Sequence, residues 1–227
     1  MSEELAANLC EKLEDHSHPT KGIEILKNFA KEQGTSKNIS AVIGVFENIF
    51  SYPIEFEQAL ARGIVTEKDE FKYLQGDIIS SNAAYYLGSR VDNSPLFAIA
   101  TPTCDLSEGR RECIILYSVK EIQTPFSDED KQLLNSGLKF KSTQFIIVPR
   151  LPHQKDSVGY NLIDISRPHT IASKDLFNSH RMYSMTLLGW RLLGSVISFI
   201  TNRAANGESA LRNQINEEPK DNLEQTA

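Results

Sequence analysis

The chain has 227 residues, of which 40% are hydrophobic and 24% charged, and its net charge is -6. That size and balance suit one large domain, or a domain with a helical extension, able to bury a real core. The acidic balance argues against a broad nucleic-acid-binding face, and three cysteines (Cys10, Cys104 and Cys113) are too few for a disulfide framework.

The opening Met-Ser-Glu-Glu-Leu lacks the basic-then-apolar pattern of a secretory leader. Met185 to Ile200 is the longest apolar-leaning segment, but Gly189, Trp190-Arg191 and Gly194 interrupt it. It falls short of the ~20 apolar residues a membrane span needs. The expectation is a cytoplasmic protein with reduced thiols, no membrane contact, no cofactor and no metal.

Residues 1–75 read as a small bundle of short helices. Ser2 caps a first helix with Leu5, Leu9 and Leu13 one turn apart. His18-Pro19 breaks it, and Thr20 opens a second helix carrying Ile23, Leu26 and Phe29 or Ala30, closed by Gly34. A third apolar run covers Ile39 to Phe50, a fourth helix Glu55 to Arg62, and Thr66 to Asp69 has capping-box spacing for a fifth.

From Gly76 the pattern turns to short β-prone runs: Ile78-Ile79, Leu96 to Ala100, Cys113 to Val119, Gln144 to Val148, Leu162 to Ile165 and Thr170 to Ala172. One short helix, Ser127 to Leu134 with Gly137 as its stop, interrupts them. Crossovers are too short for a parallel sheet, so residues 76–203 are expected to form a mainly antiparallel barrel or curled sheet. Ser184 to Arg203 reads as its closing helix, apolar nearly all round and therefore buried, across the barrel mouth or in a homodimer interface. The fold class is α+β, and residues 204–227 read as a disordered polar tail.

The strongest chemical signal is Thr101-Pro-Thr-Cys104-Asp105, set between two apolar runs that would hold a loop rigidly. Cys104 beside Arg110 and Arg111 is a candidate nucleophile, since nearby cations favour the thiolate, with Asp105 next to it and Thr103 lining the loop. A plainer role competes: Cys104 as a small buried apolar residue and Asp105 as a turn cap. The chemistry also needs a base, and His153, His169 and His180 all lie far downstream.

His169, after Arg167-Pro168, is the histidine expected at the sheet rim. Arg90, Arg110, Arg111, Arg150 and Arg167 are expected on loops, where they can bind an anion or simply meet water. Asp77 reads as a turn residue and Trp190 as a core or interface anchor. His16-x-His18 is the one close histidine pair and makes no zinc site.

Several of these segments resemble the MazF/PemK family of ribonuclease toxins. Gly76-Asp-Ile-Ile79 resembles that family's opening strand, and Pro95 to Ala100 its proline-led second strand. Ile114 to Val119 resembles the third, and Leu162-Ile-Asp164 with Arg167 a later segment. The resemblance implies an SH3-like barrel, metal-independent cleavage of single-stranded RNA and an antitoxin partner. It points to Ser118 for the hydroxyl at the end of the third strand. The family's arginine stands directly before the proline, where this chain has Ser94, and the nearest arginine is Arg90.

Three functions follow as expectations. The first is an interaction or regulatory module with a protein partner, the second a barrel-rim metal-independent ribonuclease or other hydrolase, with Arg90 and Ser118 as its mark, and the third an enzyme dependent on Cys104. Convergence of the arginines, His169 and Cys104 in one cleft separates them.

Overall fold

Leu9, Leu13, Leu26, Ile39 and Val42 recur at helical spacing, and each is fully buried, so the N-terminal segments fold as amphipathic helices sharing one apolar centre. The computed structural model describes residues 2–13, 19–63, 72–91, 95–107, 109–142 and 144–201. The expected fifth helix at Thr66 to Asp69, His16-x-His18, Ser94 and the tail lie outside the described residues. So do the side chains of Ser2 and Thr20.

The helices are α1 (Ser2–Lys12), α2 (Pro19–Gln33), α3 (Ser36–Ile43), α4 (Phe46–Ile49) and α5 (Phe56–Ala61). α2 starts at Pro19, where a missing N–H costs nothing, and Gly34 beyond its end takes φ +73°. Thr35 caps α3 by accepting from the Asn38 amide at 3.3 Å. The expected Ile39 to Phe50 run is not one helix. It turns at Gly44-Val45, and Phe50–Ser51 extends as β1.

The other strands are β2 (Ile78–Ser80), β3 (Tyr85–Tyr86), β4 (Ser89–Arg90), β5 (Leu96–Ile99), β6 (Cys113–Gln123), β7 (Phe145–Pro149), β8 (Val158–Ala172) and β9 (His180–Met185). They pair antiparallel in the order β1-β9-β2-β5-β6-β8-β3-β4, with β7 also on β8. The expected antiparallel sheet is present, but it is open and does not close into a barrel. The outer strands β1 and β4 hold two residues each, too few to carry a closing ladder. Leu162 to Ile165 and Thr170 to Ala172 are parts of one long strand. Its register against β6 shifts at Tyr117/Ser118, and this irregularity accommodates Pro168.

Alternation along the strands buries both faces. Ile79, Phe97, Ile99, Ile114, Leu116 and Ile171 gather on one face with Tyr73, Leu106 and Leu176. Ile78, Ala98, Ala100 and Tyr117 join the core that includes α1, α2 and α3. α6 (Asp128–Leu138) opens on a capping box between Ser127 and Asp130. It runs past the expected stop because Gly137 serves packing: a Cβ there would lie 2.5 Å from Ile147.

α7 (Ser173–Leu176) is a single turn, and α8 (Leu187–Thr201) is the last described helix. The Ser184 to Arg203 reading needs correction. Ser184 and Met185 belong to β9, paired with β1, and Thr186 caps the helix by accepting from the Gly189 amide at 3.2 Å. Nor is α8 buried all round: Leu188, Leu192, Leu193 and Val196 face the core, whereas Leu187, Trp190 and Ile200 are exposed. Among the described residues no helix is long and apolar enough to cross a membrane.

Candidate functional site

A groove of about 810 Å³ runs between α8, the N-terminal half of β6 and the turn that follows β5. Its size falls within the roughly 300–1,000 Å³ of ordinary ligand sites. Ile115, Tyr117, Leu13 and Ile197 form apolar walls, Trp190 stands at one end, and Asp105 with Arg111 at the mouth. Trp190 is 43% exposed, a large apolar area for a ring held in place.

The turn owes its position to Gln75, which sequence reading passed over. Thr103 Oγ1 accepts from the Gln75 amide at 2.9 Å, and Gln75 Nε2 donates to the Ala100 carbonyl at 2.7 Å. Gln75 Oε1 accepts from Trp190 Nε1 at 3.0 Å, so one side chain ties the turn to α8. Leu106, buried, anchors the far end of the turn. On the opposite wall Arg191 Nη1 donates to the Cys10 carbonyl at 2.7 Å, joining α1 to α8.

The Thr103–Asp105 segment is a 3₁₀ turn. Asp105 Oδ2 accepts from Arg111 Nε at 3.1 Å and from Nη2 at 2.8 Å. Arg110 donates to the Cys104 carbonyl at 2.9 Å. The thiol of Cys104 is free and exposed, so the plainer expectation of a buried Cys104 is corrected: the residue sits on the outside of the turn, where no core reaches it. Cys104 is not among the groove's lining residues, and neither is any histidine. The cleft that would support a cysteine enzyme therefore does not assemble among the described residues.

Ser118 and His169 do share a region. Ser118 lies opposite Phe97 and Asp164, and His169 opposite Leu116, so all project to one face of the sheet. The ring of His169 packs 5.2 Å from Phe97 and 5.1 Å from Tyr86. It is only 8% exposed, which corrects its expected place on the surface rim. Burial lowers its pKa, against the opposing pull of the Arg167 carbonyl and Asp164. Nδ1 faces that carbonyl at 2.9 Å and so carries the ring proton, leaving Nε2 as the lone-pair nitrogen.

Asp164 accepts from Lys120 Nζ at 2.6 Å and from Ser166 Oγ at 2.6 Å. Burial would raise its pKa, but Lys120 and Ser166 together hold it below the ordinary carboxylate value. Ser118 Oγ is buried with no hydrogen-bond partner among the described residues. Arg167 is exposed on the irregular stretch of β8. Arg90 is elsewhere: it donates to the Asn82 carbonyl at 2.7 Å on β4, with β3 and β8 between it and β6. The expected Arg90–Ser118 pairing is absent.

A second acidic site was invisible in the sequence. Asp77 is fully buried, more than a turn residue, and its Oδ2 accepts from the Leu74 amide at 2.8 Å and from Arg181 Nη1 at 3.5 Å. Arg181 also donates to the carbonyls of Lys72 and Ile54, each at 2.9 Å. Asp77 Oδ1 has no hydrogen-bond partner within 3.5 Å among the described residues, and burial raises the pKa against the pull of Leu74, the nearby Ser184 hydroxyl and Arg181. Among the described residues no group of three His, Cys, Asp or Glu can hold a metal ion. No protein-family model, curated protein or solved structure matches the chain.

Proposed function

We propose that this chain is a non-catalytic interaction module that takes a protein partner in the groove between α8 and the Thr101 to Asp105 turn. The observation that carries this reading is Trp190: an aromatic ring left half exposed over an apolar groove, yet oriented by Gln75. Exposed aromatic and arginine side chains around a concave apolar patch are what protein-binding sites concentrate. A photo-crosslinking residue placed at Ile115, exposed in the groove wall, tests it in living cells. The expected result is a discrete protein adduct that is absent when the same group stands at Leu87, exposed on the opposite side of the sheet order. Equal labelling at both positions, or none, counts against the reading.

A second reading, a metal-independent ribonuclease, draws support from one arrangement: Ser118, His169 and Asp164 on one sheet face, with Lys120 and Arg167 nearby. A neutral imidazole with a bare Nε2 is the form that accepts a proton from an attacking hydroxyl. Cleavage of a single-stranded RNA oligonucleotide in chelator, lost in His169→Asn, is its expected signature. No cleavage by the wild-type chain ends this reading.

A further inference from the structure

α8 contains two glycines, and they differ in kind. At Gly189 a Cβ would stand 2.3 Å from the Ile49 carbonyl oxygen, so close packing demands the missing side chain. At Gly194 a Cβ would meet nothing within 4 Å among the described residues. A glycine inside a helix is destabilising relative to alanine, and no packing of α8 against the described residues requires one here. Gly194 lines the groove, with open space beside it among the described residues.

The groove's other features restrict the occupant. Its lining on α8 runs from Trp190 to Thr201, which at helical rise is about 16 Å. An extended segment of about five residues spans that length. The backbone of β6 offers it no ladder. The Ile115 carbonyl already accepts from Ala100, and the Ile115 amide donates to Thr101 Oγ1 at 2.8 Å. Recognition therefore falls to side chains. The described lining residues include Arg111, paired with Asp105, in a protein whose net charge is -6. Arg111 is 60% exposed at its side chain and uses Nε and Nη2 on Asp105, while Nη1 makes no hydrogen bond to the described residues.

The geometry points to a ligand class: an extended peptide segment of a partner protein, with an apolar side chain seated over Gly194 and an adjacent carboxylate on Arg111 Nη1. This rests on the interaction-module reading and specifies its partner. A guanidinium with a donor to spare at the mouth of an apolar channel selects an acidic residue beside the apolar anchor.

The test is panning of a random peptide library on the full chain, with binding of enriched synthetic peptides followed by the fluorescence of Trp190, the sole tryptophan. Enriched sequences are expected to pair Leu, Ile or Phe with a neighbouring Asp or Glu. Gly194→Phe fills the channel and is expected to weaken them by at least about tenfold, and Arg111→Gln by about tenfold for the acidic peptides. Gly194→Ala is expected to keep binding and to melt no lower than wild type. Ile115→Asn, at a position 45% exposed, gives a second blocking variant should Gly194→Phe fail to fold.

No enrichment above background overturns the inference, as does equal binding by Gly194→Phe or Ile115→Asn. Pools dominated by basic or neutral peptides overturn it too, and so does concentration-dependent self-association that changes Trp190 emission. If the position-115 crosslink forms while panning fails, this inference alone falls. If the crosslink itself fails, the interaction-module reading falls with it.

Discussion

Two aspartate–arginine pairs in this molecule share their chemistry and little else. Asp77, just before β2, and Arg181 on β9 have side chains 0% and 8% exposed, 3.5 Å apart, and one carboxylate oxygen makes no hydrogen bond among the described residues. Asp105 and Arg111 lie six residues apart at the groove mouth, 25% and 60% exposed, with two donors on one oxygen. Where water is excluded, an imperfect pair is a point of vulnerability, because either partner left alone is an uncompensated charge. Where water competes, a better-formed pair adds little to stability and stays available to an incoming ligand. Environment, not geometry, separates the buried pair from the exposed one.

The largest effect expected from this contrast is at Arg181. Arg181→Met removes the cation beside Asp77 and leaves the Lys72 and Ile54 carbonyls without their donor. Stranding one member of a buried pair costs about 3–5 kcal/mol, and urea unfolding at neutral pH is expected to fall in that range. Arg111→Gln is expected to stay within about 1 kcal/mol of wild type. Equal costs for the two substitutions would break the comparison.

Sequence reading set Asp105 and Arg111 in one loop without pairing them, and missed the Asp77–Arg181 pair altogether, for a physical reason. Asp105, Arg110 and Arg111 lie in one short loop between two apolar strands, so adjacency in the chain already implied adjacency in space. Asp77 and Arg181 are joined only by pairing of β2 with β9, and β9 carries no alternation that announces it: His180, Arg181 and Met182 look like a connector. The same limit hid Gln75, whose partners Ala100, Thr103 and Trp190 come from three separate segments. Apolar runs made β5, β6 and β7 legible. The two-residue strands β1, β3 and β4 have no such run, and without their lengths a closed barrel and an open sheet read alike. The Thr103 to Asp105 turn was legible as a rigid display point. The groove beside it was not, because it forms between β6 and a helix whose register against β6 is set only by the tertiary fold.

An intermediate effect is expected in the pH dependence of stability. Burial raises the Asp77 pKa above its unfolded value, so over the interval between the two the folded protein holds a proton the unfolded chain has released. By linkage, the contribution of Asp77 to stability is greatest below its unfolded pKa of about 3.9 and declines as pH rises through the folded value. Asp77→Asn cannot titrate. The difference in unfolding free energy, wild type minus Asp77→Asn, is therefore expected to fall as pH increases across that interval. A flat difference, or one that rises with pH, would show that Arg181 outweighs burial at this carboxylate.

The smallest effect belongs to Asp105. Asp105→Ala removes a pair whose arginine is mostly in water, so thermal or urea unfolding is expected to shift by less than about 1 kcal/mol. Its consequence should appear in binding. Asp105 engages two of the five N–H donors of Arg111, and without it the guanidinium presents all of them to the groove mouth. Acidic peptides that bind the wild-type chain should then bind Asp105→Ala more tightly, with a steeper loss of affinity as salt is raised, since an exposed charge pair is screened. Weaker binding in this variant would mean that Asp105 orients Arg111 for its ligand instead of competing with it. The exposed pair would then be as dependent on its internal contact as the buried one.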